Sequence, residues 1–406
     1  MRAGWKTITL NDACIQMNGI WKGTKEPLVP AKVLRTTNFS KDCRIKLDDL
    51  AIIDVEKKKL DARRLERGDI IVEKSGGGPK QPVGRVILFD MDDDDYSFCN
   101  FTSALRIKDK EQLDYNYLHK YLTYLYFEGE TEKYQSNLVG FRNLDFKGYV
   151  GIDVPYPSIQ EQQRIVDVLD QEFAKIDALK TNAEQSLQAA KDLFQATTDT
   201  MLGNEKWREL TIGEIAKIKG GKRVPKGYKL EKEPTAHRYI RVADFTDQGT
   251  IRPESVLYIS DEVYKTIKAY TISSKDVYIS IAGTIGKSGI IPDTLDGANL
   301  TENACKLVLG PDFYNRFVFF ATKTSSFKRQ VETLTMQAAQ PKLALTRLAT
   351  IRVRVPSSIQ EQETIVARLD GIADTIAILQ DNYQKTLSLC DDLKQSLLRK
   401  AFNGEL

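Results

Sequence analysis

Ser158-Ile159-Gln160-Glu161-Gln162 recurs as Ser358-Ile359-Gln360-Glu361-Gln362, and each copy opens a long apolar-periodic stretch that runs to a glycine. Across 159–179 and 359–379, ten of 21 positions are identical, among them Ile165/Ile365, Val166/Val366, Leu169/Leu369, Asp170/Asp370, Ile176/Ile376 and Leu179/Leu379. Ordinary residue usage would give roughly one such identity. Upstream the likeness is thinner but keeps its order: Trp5-Lys6 answers Trp207-Arg208, Leu34-Arg35 with Phe39 answers Ile240-Arg241 with Phe245, and Gly68-Asp69-Ile70 answers Lys275-Asp276-Val277. A period of half the chain is too long for a solenoid, whose units run to roughly 20–50 residues. It describes two domains, each followed by its own helix.

The helices announce their starts. Ser158 and Ser358 can each accept from the amide three residues on, where Glu161 and Glu361 can reach back, which is a capping box written twice. Pro157 and Pro356 lie just outside, where proline breaks no helical bond. Behind the second cap Leu369, Ile372, Ile376, Leu379, Tyr383, Leu387, Cys390, Leu393 and Leu397 advance in steps of three or four. The first copy offers Leu169, Phe173, Ile176, Leu179, Ala183, Leu187, Ala190, Phe194, Thr197 and Met201. So narrow a seam, on a helix of roughly 60 Å at 1.5 Å per residue, calls for a partner helix, and the other copy is the obvious one. An antiparallel pair with one globular domain at each end is the simplest arrangement, with Gly203 and Gly404 as stops.

Between the helices lie short β-prone runs, Asp69–Val72, Val83–Leu88, Val277–Ile281 and Ile351–Val355, separated by Gly- and Pro-bearing turns. Helical candidates fall at Tyr115–Tyr126 and Phe313–Lys323. The expected class is α+β: two tandem mixed domains with largely antiparallel sheets and two long helices pairing as an antiparallel coiled coil, in a pseudo-two-fold internal repeat. The first globular domain is expected over 1–157, its helix over 158–203, the second domain over 204–355 and its helix over 356–406.

Three loop pairs at corresponding places in the halves, the third matched only loosely, carry Lys, Arg, Gln, Asn, Ser and Thr, and five of the six loops also carry glycine. Glycine lets backbone approach a ligand, and those side chains meet phosphates and base edges. The first pair is Trp21–Lys25 against Gly221–Lys226 and Tyr228. The second is Lys74–Arg85 against Ala282–Gly289, and the third is Ser136–Asn143 against Gln337–Lys342. The residues expected to bind are Lys22, Lys25, Lys74, Lys80, Gln81, Arg85, Asn137, Arg142 and Asn143 in the first half. In the second they are Lys222, Arg223, Lys226, Tyr228, Thr284, Lys287, Ser288, Gln337, Gln340 and Lys342.

A formal net charge of +3 would not announce a nucleic-acid binder, but the charge is segregated. Lys219–Lys229 gathers five bases and no acid, whereas Asp92–Asp95 concentrates the opposite sign. Five scattered cysteines with only His119 and His237 to join them predict neither a disulfide framework nor a metal site. No stretch approaches the roughly 18 apolar residues of a membrane span and Met1–Leu10 has no signal-like apolar core, so the expected compartment is the cytoplasm.

The P-S-I-Q-E-Q-x-x-I-V-x-x-L-D stretch at 157–170, repeated at 357–370 with Ser357 for the first Pro, resembles the duplicated spacer of type I restriction-modification specificity subunits. Leu393–Leu406 is similar to that family's C-terminus, and Gly283-Thr284-Ile285-Gly286-Lys287 to a glycine turn of its target-recognition domains. In the first half Gly76-Gly77-Gly78-Pro79 departs from that compact turn. The resemblance implies that each globular domain reads one half of a split double-stranded DNA target. It also implies that the helices set the spacing and dock two methyltransferase subunits, and that restriction/translocase subunits join them. S-adenosylmethionine, magnesium and ATP would then belong to the partners.

Enzyme motifs fail on inspection. A phosphate loop ending in Gly286-Lys287-Ser288 would need glycine where Ile281 stands. There is no N-P-P-F-like or D-P-P-Y-like tetrapeptide, and the two histidines occupy unrelated repeat positions, so the chain is expected to be non-catalytic. The rival expectation is a protein scaffold whose end domains bind protein or sugar. The two differ in salt dependence, because neutralising phosphates releases counterions.

Overall fold

The structure is a computed structural model that describes residues 4–78, 81–93, 95–138, 141–335 and 342–406, with the side chains of Asn137, Leu138 and Phe141 left aside. It divides into two compact units: Met1–Asn182 with Lys385–Leu406, and Ala183–Gln384.

In the first unit Cys14–Asn18, Thr102–Ile107, Ile70–Glu73 and Val86–Leu88 form a four-stranded antiparallel sheet in that order. Period-two alternation divides this sheet between two cores. Ile70, Val72, Val86 and Leu105 face one cluster with Tyr117 and Leu118, while Ile71, Ile87 and Ala104 face another with Phe89 and Phe98. Each fully buried Ile or Val contributes about 1.5–3 kcal/mol. Leu28–Leu34 pairs antiparallel with Ala51–Glu56 and parallel with Tyr96–Phe98, and Lys6–Thr9 closes against Asp153–Tyr156.

The second unit repeats this plan. Ala216–Gly220, Ala304–Leu309, Val277–Ser280 and Ser288–Gly289 make the four-stranded sheet. His237–Ile240 pairs antiparallel with Leu257–Ile259 and parallel with Asn299–Leu300, and Arg208–Thr211 closes against Arg352–Val355. The α+β class with largely antiparallel sheets holds in both units. The expected strand over Val83–Leu88 is shorter, Val86–Leu88, because Gly84 turns the chain at φ +101°. The helices expected near 115 and 313 run Tyr115–Phe127 and Asn315–Lys323.

The long helices span Ile159–Leu202 and Ile359–Asn403. Ser158 Oγ accepts from the Glu161 amide and Ser358 Oγ from the Glu361 amide, each at 3.4 Å, so the serine half of the box is present twice. Arg164 clasps the Glu161 carboxylate at 2.7 and 2.8 Å, and the Glu361 carboxylate accepts from the Trp207 indole at 3.1 Å. The last residue of the repeated pentapeptide has a role the sequence did not disclose. Gln162 and Gln362 are fully buried, and their carboxamides bond backbone groups at the start of the unit's own helix. Gln162 donates to Gln112 O at 2.9 Å and Pro157 O at 3.0 Å and accepts from Asp114 N at 2.9 Å. Gln362 donates to Asp312 O at 3.0 Å and accepts from Tyr314 N at 2.9 Å. Asp170 binds Lys120, and Asp370 binds Arg316 at 2.6 Å, so the aspartate shared by the two copies is a second strut in each unit.

Within the first unit the two helical segments run antiparallel: Arg164 meets the Leu406 carbonyl, Asp177 meets Lys394, and Lys180 meets Asp391. In the second unit Tyr383 meets Glu184, and Leu202 shares a core with Val366 and Leu369. The seam is not the full series expected, since Leu179, Leu379 and Leu393 are exposed while Val166, Leu398 and Ala401 are buried. A stripe drawn with steps of three and four drifts around a straight helix of 3.6 residues per turn. Gly404 ends its helix in the left-handed region at φ +76°, whereas Gly203 is not among the positive-φ glycines and its carbonyl accepts from Arg354 at 2.8 Å.

Candidate nucleic-acid interface

The three loop pairs are held by the same backbone bonds in both units. In the first, Phe101 O accepts from Lys74 N at 2.8 Å and Ser75 N at 3.2 Å. In the second, Asn303 O accepts from Ile281 N at 2.8 Å and Ala282 N at 3.3 Å. The far side of each loop is pinned by Glu73 N to Arg85 O at 2.9 Å and by Ser280 N to Lys287 O at 2.8 Å, with Gly84 and Gly286 turning at φ +101° and +85°. The third loop joins through Leu144 N to Lys74 O at 2.8 Å and Leu343 N to Ile281 O at 2.9 Å. The first loop docks through Ile20 N to Phe98 O and Lys222 N to Leu300 O, both 2.8 Å. A Cβ on Gly19 would lie 1.8 Å from Cys99 O, and one on Gly221 2.1 Å from Thr301 O, so glycine is required for this approach in each unit. The structure thus brings the three loops of each unit onto one framework.

The candidates distribute unevenly over it. Lys22, Lys25, Lys222, Lys226, Thr284 and Lys342 are exposed. Lys74 is half-buried and bonds Asn18 Oδ1 at 2.8 Å, and burial lowers its pKa. Asn143 Oδ1 accepts from Ser75 Oγ at 2.7 Å, Arg142 reaches Gln135 at 3.4 Å, and Gln81 closes a hairpin with Gly78 through bonds of 2.9 and 3.0 Å. In the second unit Arg223 pairs with Glu302, Tyr228 OH with Glu262, and Lys287 with Asp247 at 2.9 Å, which holds the Asp247 carboxyl below the usual carboxylate range. Lys222 lies 5.7 Å over the Tyr270 ring. Lys80, Gln337 and Gln340 fall outside the described residues, as does the side chain of Asn137.

Two candidates are corrected. Arg85 is buried, with its guanidinium bidentate on Glu73 at 2.7 and 2.8 Å and donating to Phe39 O at 2.8 Å, so it braces the loop from beneath. Ser288 is also buried, its hydroxyl 2.6 Å from Thr322 Oγ1. Ser288 lies in the strand Ser288–Gly289, and Arg85 immediately precedes the strand Val86–Leu88.

Sequence reasoning missed Phe101, in a turn outside the loop pairs of the sequence, and Lys323, on a helix. Lys323 donates to Ser288 O at 3.0 Å, and burial, with Lys328 and Lys287 nearby, lowers its pKa to about 8. Within the acidic run, Asp92 pairs with Arg67 at 3.1 Å and Asp93 with Lys32 at 2.6 Å. All five cysteines are buried and free, and among the described residues no group of three His, Cys, Asp or Glu is placed to hold a metal ion. No described helix is long and apolar enough to cross a membrane.

A duplicated domain is also what the comparisons with known proteins return. The type I restriction enzyme EcoBI specificity subunit of Escherichia coli is 24% identical over 289 residues, covering 62% of this chain and 58% of that protein. The StySPI specificity subunit of Salmonella potsdam is 22% identical over 433 residues, covering 99% of this chain and 89% of that protein. A chain solved in work on complex assembly and conformational transition of the type I R-M system shares the fold, with a TM-score of 0.78 at 16% identity over 100% of this chain and 99% of that one. The family model described as the type I restriction modification DNA specificity domain matches twice, over residues 3–189 and 204–387. The two matches fall on the two copies of the repeat, and the chain belongs to this family.

Proposed function

We propose that the chain is the DNA-binding specificity subunit of a type I restriction-modification complex, each unit reading one half of a bipartite double-stranded target. The observation that carries this reading is the pair of matched loop frameworks, with the same backbone bonds and different side chains in each. A common scaffold with divergent loops suits two readers of unlike sequence, because phosphate contacts position while base contacts specify. The paired helices set the separation of the two halves. They also dock two methyltransferase subunits: Leu179, Leu389 and Leu393 in the first unit, and Leu193, Ile378 and Leu379 in the second, are large apolar side chains exposed on helices. Leu389 and Leu393 are neighbours one turn apart on the helix surface, an apolar patch of the kind that partners cover. The chemistry, with S-adenosylmethionine, Mg and ATP, is assigned to the methyltransferase and restriction subunits, this chain being non-catalytic.

Methylome sequencing of cells carrying the complex is expected to return two short specific blocks separated by bases of any identity. One continuous motif would refute the bipartite reading. In vitro, affinity for duplex DNA should fall steeply with salt. The triple substitution Lys222→Ala, Arg223→Ala, Lys226→Ala should flatten the log–log slope by about one for each phosphate no longer neutralised. Binding indifferent to salt would favour a sugar- or protein-binding scaffold instead.

A further inference from the structure

Trp21 and Phe101 are 63% and 46% exposed in the first unit, with rings edge to face and centroids 6.4 Å apart. An exposed aromatic pair forgoes burial that a core would reward, so its position invites a functional reading. Trp21 follows directly on the Ile20–Phe98 bond that docks the first loop, and Phe101 supplies the carbonyl that holds Lys74 and Ser75. Cations flank the pair along the chain: Lys22 and Lys25 beyond Trp21, and Lys74 bonded to Asn18 before it.

The second unit shows that the fold does not require aromatics here. Its corresponding backbone bonds place Arg223 where Trp21 stands and Asn303 where Phe101 stands, and Arg223 pairs with Glu302. One scaffold therefore carries an apolar edge in one copy and a polar one in the other.

We propose that Trp21, backed by Phe101, is a wedge that enters the base stack of the half-target read by the first unit and opens one base step, while Lys22, Lys25 and Lys74 hold the phosphates beside it. The reading rests on the DNA-binding function proposed above. An indole presents a flat π-face that stacks on any base, and the edge-on phenyl ring behind it holds that face with few rotamers to lose. Apolar side chains inserted at a base step unstack and kink the duplex, and a base that is to be chemically modified must leave the stack. The flanking ammonium groups supply the charge complementarity that a purely apolar protein partner would not use.

The test uses the full chain and a duplex selected by it from a randomised pool, with 2-aminopurine placed singly at successive positions. The wild-type chain is expected to raise the fluorescence at one step. Trp21→Ala should abolish that rise and weaken binding roughly tenfold, Trp21→Phe should retain most of both, and the salt slope should stay unchanged because every phosphate keeps its cation. Wild-type-like affinity and fluorescence in Trp21→Ala would overturn the wedge, as would a loss of affinity accompanied by a shallower salt slope. If the wild-type chain selected no duplex at all, the DNA-binding reading itself would fall, a result distinguishable from failure of the wedge alone.

Discussion

Glu73→Ala destabilises the first unit by about 3–5 kcal/mol, the cost of leaving a buried charge without its partner. Arg85 cannot swing out to water: it is 5% exposed, stacks 5.7 Å from the Phe39 ring, and donates to Phe39 O. The double variant Glu73→Leu, Arg85→Met should recover most of the loss, since apolar replacement of a buried pair is often neutral. Chemical denaturation followed through the first unit's transition measures both. A loss below about 1 kcal/mol in Glu73→Ala would mean that water reaches the pair, and the brace beneath the glycine loop would be no brace.

Gln162→Ala detaches the start of the central helix from its domain at a cost of about 3 kcal/mol, and Gln362→Ala does the same in the second unit at about 2 kcal/mol. Each variant strands backbone groups that are mostly part-buried, so each lost bond costs toward the low end of the about 1–3 kcal/mol of an unsatisfied donor or acceptor. Gln162 serves three such groups and Gln362 two, which orders the two effects. Native-state hydrogen exchange is the direct readout, because the amides of Asp114 and Tyr314 lose their acceptors. Unchanged protection at both would show that the repeated glutamine is not what fastens helix to domain. Replacement by Glu should be worse than by Ala, since it buries a charge that cannot donate to Gln112 O or Asp312 O.

The repeat was legible because it rests on local chemistry. Ser158, Glu161 and their copies mark helix starts by residue type alone, and the strand at Ile70 shows as a β-branched run. What escaped the sequence was set by distance along the chain. The partners of Gln162 lie 50 residues away at Gln112, and those of Asp199 lie at Ser325. No period records such pairs. Residue type singles out loop candidates but does not say which way a side chain faces: Arg85 and Lys287 occupy matched backbone positions, yet one is buried under its loop and the other is only partly covered. Phe101 was invisible for the opposite reason. Nothing near it in sequence resembles a binding loop; its carbonyl bonds to Lys74 and Ser75 and its ring contact with Trp21 bring it beside two.

The bracketed loop has a consequence for how such a chain can change. Between the same two fixed ends, the first unit carries 74–83 and the second only 281–285, ten residues against five. Doubling a loop of this kind costs about 0.6 kcal/mol in closure entropy. The framework is therefore tolerant of length between its clamps, and the segment can be lengthened or exchanged between copies so long as its contribution to the core, Val83 in the first unit and Ile281 in the second, keeps an apolar counterpart. Novelty in what is recognised can accumulate at a rate the stability of the protein scarcely registers.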